Sequence, residues 1–257
     1  MTGWQFATTP TRPRSPEVVL VAFGRGALPG PIELPAGCTL RTIARAVSPA
    51  WFDAWRQGSL RAIAEQDLGP QIAELDATDH AHVIASAPVA PVDLAYLHAA
   101  WSAARALVAR GASIVLDAHA MTYVPAAKLP AVDAPLEVAR EVRLVYETTA
   151  TRAEGAHALH TRGLRKFGAP DLVALCTDAD ARIVGHALAE LADAVARGTE
   201  LATPRHAIHV APGVTWVAIE DEHRLGALLQ LDNEVRVIVD ATGHHLTGVL
   251  ARLPVLS

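Results

Sequence analysis

Short apolar runs, separated by glycine, proline and charged residues, recur along the whole chain. The run EVVLVAF at 17–23 is rich in β-branched residues and stops at Gly24, so it predicts a strand. Further strands are predicted, in chain order, for QIAELDA, HAHVIASA, SIVLDAH, RLVYETT, AHALHTR, DLVALCT, HAIHV and TWVAIE. Residues 227–239, ALLQLDNEVRVIV, predict a hairpin that turns at Asp232 and Asn233.

Apolar residues recur at helical spacing in residues 93–110 and again in residues 180–197. Each segment therefore predicts a helix with one buried face. Both segments end in the tetrapeptide VARG, whose glycine (Gly111 or Gly198) favours the left-handed conformation that ends a helix. Residues 39–66 also predict helical structure, with breaks near Ser48-Pro49 and Gly58.

These elements together predict an α+β fold, with helices packed on a mostly antiparallel sheet. Residues 1–16, rich in Thr, Pro and Arg, predict a flexible N-terminal arm before a globular region at 17–257. Because the order strand, helix, VARG, strand occurs twice, two similar halves at 17–135 and 136–257 remain an open alternative to one region.

The composition bounds the functional classes. Hydrophobic residues make up 51% of the 257 residues and charged residues 19%, which is typical of a globular protein. The formal net charge of -5 argues against a nucleic-acid partner. The isolated Cys38 and Cys176, and the lack of an apolar leader or spanning segment, predict a cytoplasmic protein with no membrane partner.

Common cofactor and catalytic motifs are absent from the sequence. Gly24 and Gly26 follow a strand, but Pro29 and Pro31 occupy the place where a dinucleotide-binding helix would run. The chain has no phosphate-binding P-loop, no GxSxG elbow and no HExxH motif. The cofactor therefore stays unknown, and enzymes without a familiar signature remain open.

The twelve histidines raise the question of a metal site. Residues two apart on a strand share a face, so His80 and His82 do, and Asp117 and His119 do. A metal centre would need ligands from distant segments, such as Asp117, His119 and His160. The sequence alone assigns no metal.

The most distinctive stretch is ALHTRGLRKFGAPDL at residues 158–172. It predicts a strand that enters a cationic loop between Gly163 and Gly168, and such loops bind anions through backbone N–H groups and basic side chains. The residues predicted to bind a ligand are Thr161, Arg162, Gly163, Arg165 and Lys166. The alternative is a structural connection in which Phe167 fills the core and Arg162 pairs with an acid.

The same stretch resembles a motif of uncharacterised bacterial domains of unknown function. The motif is His-Thr-(Arg or His)-Gly-(Leu or Met), followed by Gly-x-Pro-acid. The matching residues are His160, Thr161, Arg162, Gly163, Leu164, Gly168, Pro170 and Asp171. The resemblance extends loosely over residues 80–200, including VLDAHAMTYVP. It implies that the stretch is a signature but implies no activity.

Two functional hypotheses follow. The first is a binding module that engages a partner protein or a small anionic ligand through the loop at 160–166. The second is an enzyme in which His160 acts as acid or base with Asp117 or His119, which requires these groups to line one pocket. The oligomeric state remains open, and Trp51 and Trp55, four residues apart, predict either core or interface.

Overall fold

The computed structural model describes residues 14–131, 134–147 and 157–246, and these form two compact units. The first unit ends at Leu136 and the second begins at Glu137. Both combine helices with mostly antiparallel sheet, which confirms the predicted α+β class. The predicted N-terminal arm lies outside the described residues up to residue 13.

The first unit is built on an antiparallel sheet. Its strands are β1 (Val18–Gly24), β2 (Thr39–Ala44), β3 (His80–Ser86), β4 (Ala112–Asp117) and β5 (Thr122–Pro125). Its helices are α1 (Pro49–Ala54), α2 (Gly58–Leu68), α3 (Ile72–Asp76) and α4 (Ala95–Val108). The strand order is β2–β3–β1–β4–β5, and each neighbouring pair is antiparallel.

Strand alternation places Val21 and Phe23 of β1 in one apolar cluster, where they meet Phe52 of α1. The partly buried Trp51 and Trp55 pack against this cluster, with ring centroids 5.9 Å apart. Helix α4 packs against β1, β3 and β4. The apolar residues that recur along this part of the sequence are thus buried against the sheet.

The second unit has a six-stranded sheet. Its strands are β6 (Arg143–Glu147), β7 (His157–Arg162), β8 (Asp171–Cys176), β9 (Arg205–Ala211), β10 (Val214–Glu220) and β11 (Val235–Asp240). Its helices are α5 (Val138–Glu141), α6 (Ala181–Ala196) and α7 (Leu225–Leu228). The order is β6–β7–β8–β11–β10–β9, in which β8 and β11 are parallel and the other neighbours antiparallel.

The two faces of the second sheet are covered differently. Helix α6 packs against β7 and β8 on the face that carries Leu144, whose side chain approaches the Cα of Gly185. On the opposite face, Ala158, Val173 and Val237 belong to an apolar cluster. Within the described parts of the chain, no helix is both long and apolar enough to cross a membrane.

Both long predicted helices are present, as α4 and α6. Gly111 and Gly198 follow them with φ of 106° and 116°, a conformation that residues with a Cβ rarely adopt. The two VARG sequences therefore mark helix ends for the predicted reason.

Three predicted elements are wrong. Residues 39–44 form β2 rather than helix, because they pair with β3 some forty residues later, and this pairing overrides local propensity. QIAELDA contains α3 rather than a strand, in keeping with its helix-favouring Ala, Glu and Leu. Residues 227–239 form no hairpin, because β11 pairs with β8 and β10 instead.

Candidate functional site

The stretch that resembles a signature forms the connection between β7 and β8. Strand β7 ends at Arg162, a 3₁₀ turn follows at Leu164–Phe167, and β8 begins at Asp171. Gly163 and Gly168 flank the turn with φ of 113° and 63°. Two glycines are needed here because the chain reverses direction through the left-handed region at both positions.

Lys166 lies inside the protein. Its side chain is fully buried, and its Nζ lies 2.5 Å from Oε2 of Glu141, which ends α5 and is also buried. This corrects the prediction of a loop that presents Lys166 to an anion. A buried carboxylate 25 residues earlier in the chain holds the ammonium group in the interior, and a buried charge requires such a partner.

The two arginines of the segment bind backbone carbonyls. Arg162 donates from Nη2 to the carbonyl oxygen of Leu229 at 2.8 Å and from Nη1 to that of Gln230 at 3.3 Å. Arg165 donates to the carbonyl oxygen of Asp232. Both side chains therefore fasten this connection to the segment between α7 and β11. The acid expected to pair with Arg162 in a structural connection is not found among the described residues.

Asp171 organises the inside of the connection. Its Oδ1 accepts hydrogen bonds from Thr161 Oγ1 at 2.9 Å and from the backbone N–H of Leu164 at 3.3 Å, and its Oδ2 accepts one from Asn233 at 2.8 Å. Burial raises the pKa of Asp171 to about 6, although these hydrogen bonds oppose the shift. Thr161 Oγ1 also accepts from the N–H of Leu172 at 2.8 Å.

His160 is buried and neutral. Its Nδ1 lies 3.3 Å from the carbonyl oxygen of Thr161, so Nδ1 carries the proton and Nε2 offers a lone pair. Burial, and the nearby charge of Arg162, lower the pKa of His160 to about 4. Among the described residues, Nε2 has no hydrogen-bond partner.

The other candidate residues belong to the first unit. Asp117 ends β4, is buried, and accepts a hydrogen bond from the N–H of Ala120 at 3.1 Å. His119 is buried in the turn between β4 and β5. Each is thus placed by the first unit, whereas His160 is placed by the second. Over residues 14–131, 134–147 and 157–246, no three potential ligands form a metal-binding group.

A small pocket opens beside Thr161 on the α6 face of the second sheet. It has a volume of about 110 Å³ and a mainly apolar lining. The lining residues include Val138, Val142, Leu144, Ala189, Ala192 and Asp193. Because these residues come from α5, β6, β7 and α6, their spacing in the sequence does not reveal the pocket.

The geometry accounts for five of the eight motif residues. Thr161 and Asp171 bond to each other, Arg162 bonds to carbonyls, and the two glycines supply the left-handed conformations. Glu141 and Asn233 complete the arrangement. The sequence did not indicate either of them, because neither carries a local signal, and it indicated Asp171 only as part of the motif. Thr161, Arg162 and Asp171 therefore hold the connection in place, and a pocket that could receive a ligand lies beside it.

No family model, no curated protein and no solved structure matches this chain. The resemblance of residues 160–171 to domains of unknown function stays a prediction.

Proposed function

We propose that the protein is a binding module whose second unit receives a small apolar side chain of a partner protein in the pocket beside Thr161. The observation that carries the proposal is a contrast. The basic side chains of the segment at 160–166 already bind acceptors of the same chain, whereas the neighbouring pocket is mainly apolar and open.

This contrast favours a partner protein over a small anionic ligand. An anion at Lys166 would have to compete with Glu141 in the protein interior, where an unpaired carboxylate is costly. An anion at Arg162 would have to replace two backbone carbonyls, which would then lose a charged donor.

The dimensions and lining of the pocket indicate its occupant. A cavity of roughly 150 Å³ holds a benzene ring, so a pocket of about 110 Å³ suits a branched aliphatic group. The hydroxyl of Thr161 is already bonded to Asp171 and Leu172, so the lining has little demand for a polar group. Valine, leucine or isoleucine of a partner would lose its contact with water on entry, which is the main source of affinity in such sites.

The test is selection of binders from a phage-displayed library of random linear peptides. Enriched peptides are expected to share a branched aliphatic residue and to lose binding to Ala189→Trp, which fills the pocket from α6. Glu190→Trp is the matched control, because Glu190 is exposed and is not in the lining. The proposal fails if Ala189→Trp binds the enriched peptides as tightly as the wild type does, or if no peptide is enriched.

The second candidate function, an enzyme that uses His160, is favoured by one observation. A neutral imidazole with an unpartnered lone pair at Nε2 is the form that a general base requires. If a substrate reaches Nε2, diethyl pyrocarbonate should modify His160 at pH 7, as it should modify the exposed His186. Peptide mapping that finds modified His186 but unmodified His160 would instead identify His160 as a core residue.

A further inference from the structure

Strand β6 forms one end of the second sheet. One of its edges pairs with β7, and no described strand pairs with the other edge. An edge strand retains a row of backbone N–H and C=O groups that can pair with another strand. Strand β6 contains no proline, glycine or lysine, the residues that often block such pairing.

The sequence of β6 is complementary to itself. It reads Arg-Leu-Val-Tyr-Glu, so a second copy placed antiparallel about Val145 sets Arg143 opposite Glu147 of that copy. In the same register Leu144 lies opposite Tyr146 of the second copy. If the second copy were shifted by one residue along the strand, Arg143 and Glu147 would no longer lie opposite each other. Apolar side chains would then lie opposite charged ones, so the sequence specifies one register.

The exposure of the side chains agrees with this pairing. Leu144 and Tyr146 are each 38% exposed and lie on the α6 face, where the ring of Tyr146 is held by its hydroxyl bond to Asp178. Arg143, Val145 and Glu147 share the other face and are half-buried. Pairing would cover the apolar side chains with each other and place the opposite charges together at both ends.

The edge strand β9, at the other end of the sheet, provides a contrast. It reads Arg-His-Ala-Ile-His-Val-Ala, and self-pairing about Ile208 would set Arg205 opposite Ala211 and His206 opposite Val210. No opposite charges meet in that arrangement. Complementary charge therefore distinguishes β6 from β9.

We propose that the edge of β6 that pairs with no described strand is a self-association surface, on which a second copy of this chain adds its own β6 in antiparallel orientation about a two-fold axis at Val145. The two six-stranded sheets would then continue into one another. The two proposals share Leu144, which lines the pocket and would lie opposite Tyr146 of the second copy, but pairing uses the backbone edge of β6, whereas ligand binding uses the pocket interior.

The first test is sedimentation equilibrium over a range of protein concentrations with charge-reversal variants. The wild type is expected to form a dimer. Arg143→Glu and Glu147→Arg should each raise the dimer Kd at least about tenfold, because each creates two like-charged pairs. The double variant restores opposite charges and should return the Kd to within about threefold of the wild type. Arg205→Glu on β9 is the control and should leave the Kd unchanged.

The second test is a cross-link at the two-fold axis. Opposite Cα atoms of paired strands lie about 4.5–5.5 Å apart, a distance that a disulfide spans. Val145→Cys in a Cys38→Ser background is therefore expected to form a disulfide-linked dimer on oxidation. Leu144→Cys, which faces Tyr146 of the second copy, should cross-link much less.

Several outcomes would overturn the proposal. These are a monomer at every concentration, a dimer whose Kd is unchanged by both single charge reversals, or equal cross-linking of the two cysteine variants. Ala189→Trp separates the two proposals, because it should abolish peptide binding and leave the dimer intact.

Discussion

The buried pair of Lys166 and Glu141 makes a prediction whose size can be worked from the structure. Their charged atoms are 2.5 Å apart, which corresponds to about 7 kcal/mol of attraction at an effective dielectric constant of about 20. Burial of each ion costs several kcal/mol, so the pair as a whole contributes little net stability. Loss of one partner, however, removes the opposite charge 2.5 Å from a charge that stays buried in the interior.

We therefore expect Lys166→Met and Glu141→Leu each to lower the free energy of unfolding by about 3–5 kcal/mol. The double variant should lie close to the wild type, since it removes both charges and supplies apolar groups of similar length. The coupling energy between the two positions should then be about 6 kcal/mol or more, since the two single costs are both recovered in the double variant. Urea unfolding followed by far-UV circular dichroism measures each value.

The neighbouring surface pair is the matched control. Arg140 lies next to Glu141 in the chain, and its Nε is 2.9 Å from Glu137, but the two side chains are 55% and 48% exposed. Arg140→Met should therefore change the free energy of unfolding by less than about 1 kcal/mol. The reasoning is refuted if Lys166→Met costs no more than Arg140→Met, or if the two interior substitutions add without coupling.

Two further predictions concern His160 and Thr161. Because the pKa of His160 falls to about 4 from an ordinary 6.5, the folded protein resists protonation, and stability present above pH 6.5 is lost as the pH falls towards 4. The loss should reach about 3 kcal/mol, and the difference in unfolding free energy between wild type and His160→Gln across this pH range measures it. Thr161→Val removes a buried donor to Asp171 and an acceptor for Leu172, so it should cost about 1–3 kcal/mol in urea unfolding. Thr161→Ser, which keeps the hydroxyl, should cost about 1 kcal/mol or less, and equal costs for the two variants would contradict the assigned hydrogen bonds.

Local signals sufficed for part of the fold. β1 and β8 are short apolar runs, α4 and α6 carry apolar residues at helical spacing, and the glycines that follow α4 and α6 mark the helix ends. β2 was predicted incorrectly, and β11 was predicted with the wrong partner, because the pairing of both strands depends on residues far away in the chain. A strand that is stabilised by long-range pairing leaves little trace in its own sequence.

The sequence singles out Thr161, Arg162 and Gly163, and the structure describes their contacts and conformations. Their role in binding stays a prediction. A lysine in a glycine-flanked loop suggests exposure, and only the tertiary structure reveals that Glu141 holds it inside. The pocket draws its lining from four elements, so no single stretch of sequence predicts it.

The most direct test of the central claim is amide chemical-shift mapping with two probes, a library-selected peptide and inorganic phosphate. The account predicts that the peptide shifts amides of residues 138–144 and 189–193, around the pocket, and that phosphate leaves residues 160–168 unchanged. Phosphate-induced shifts concentrated at residues 163–166, with the pocket amides unaffected by the peptide, would contradict the account. Such a result would favour anion binding by the loop at 160–166 instead.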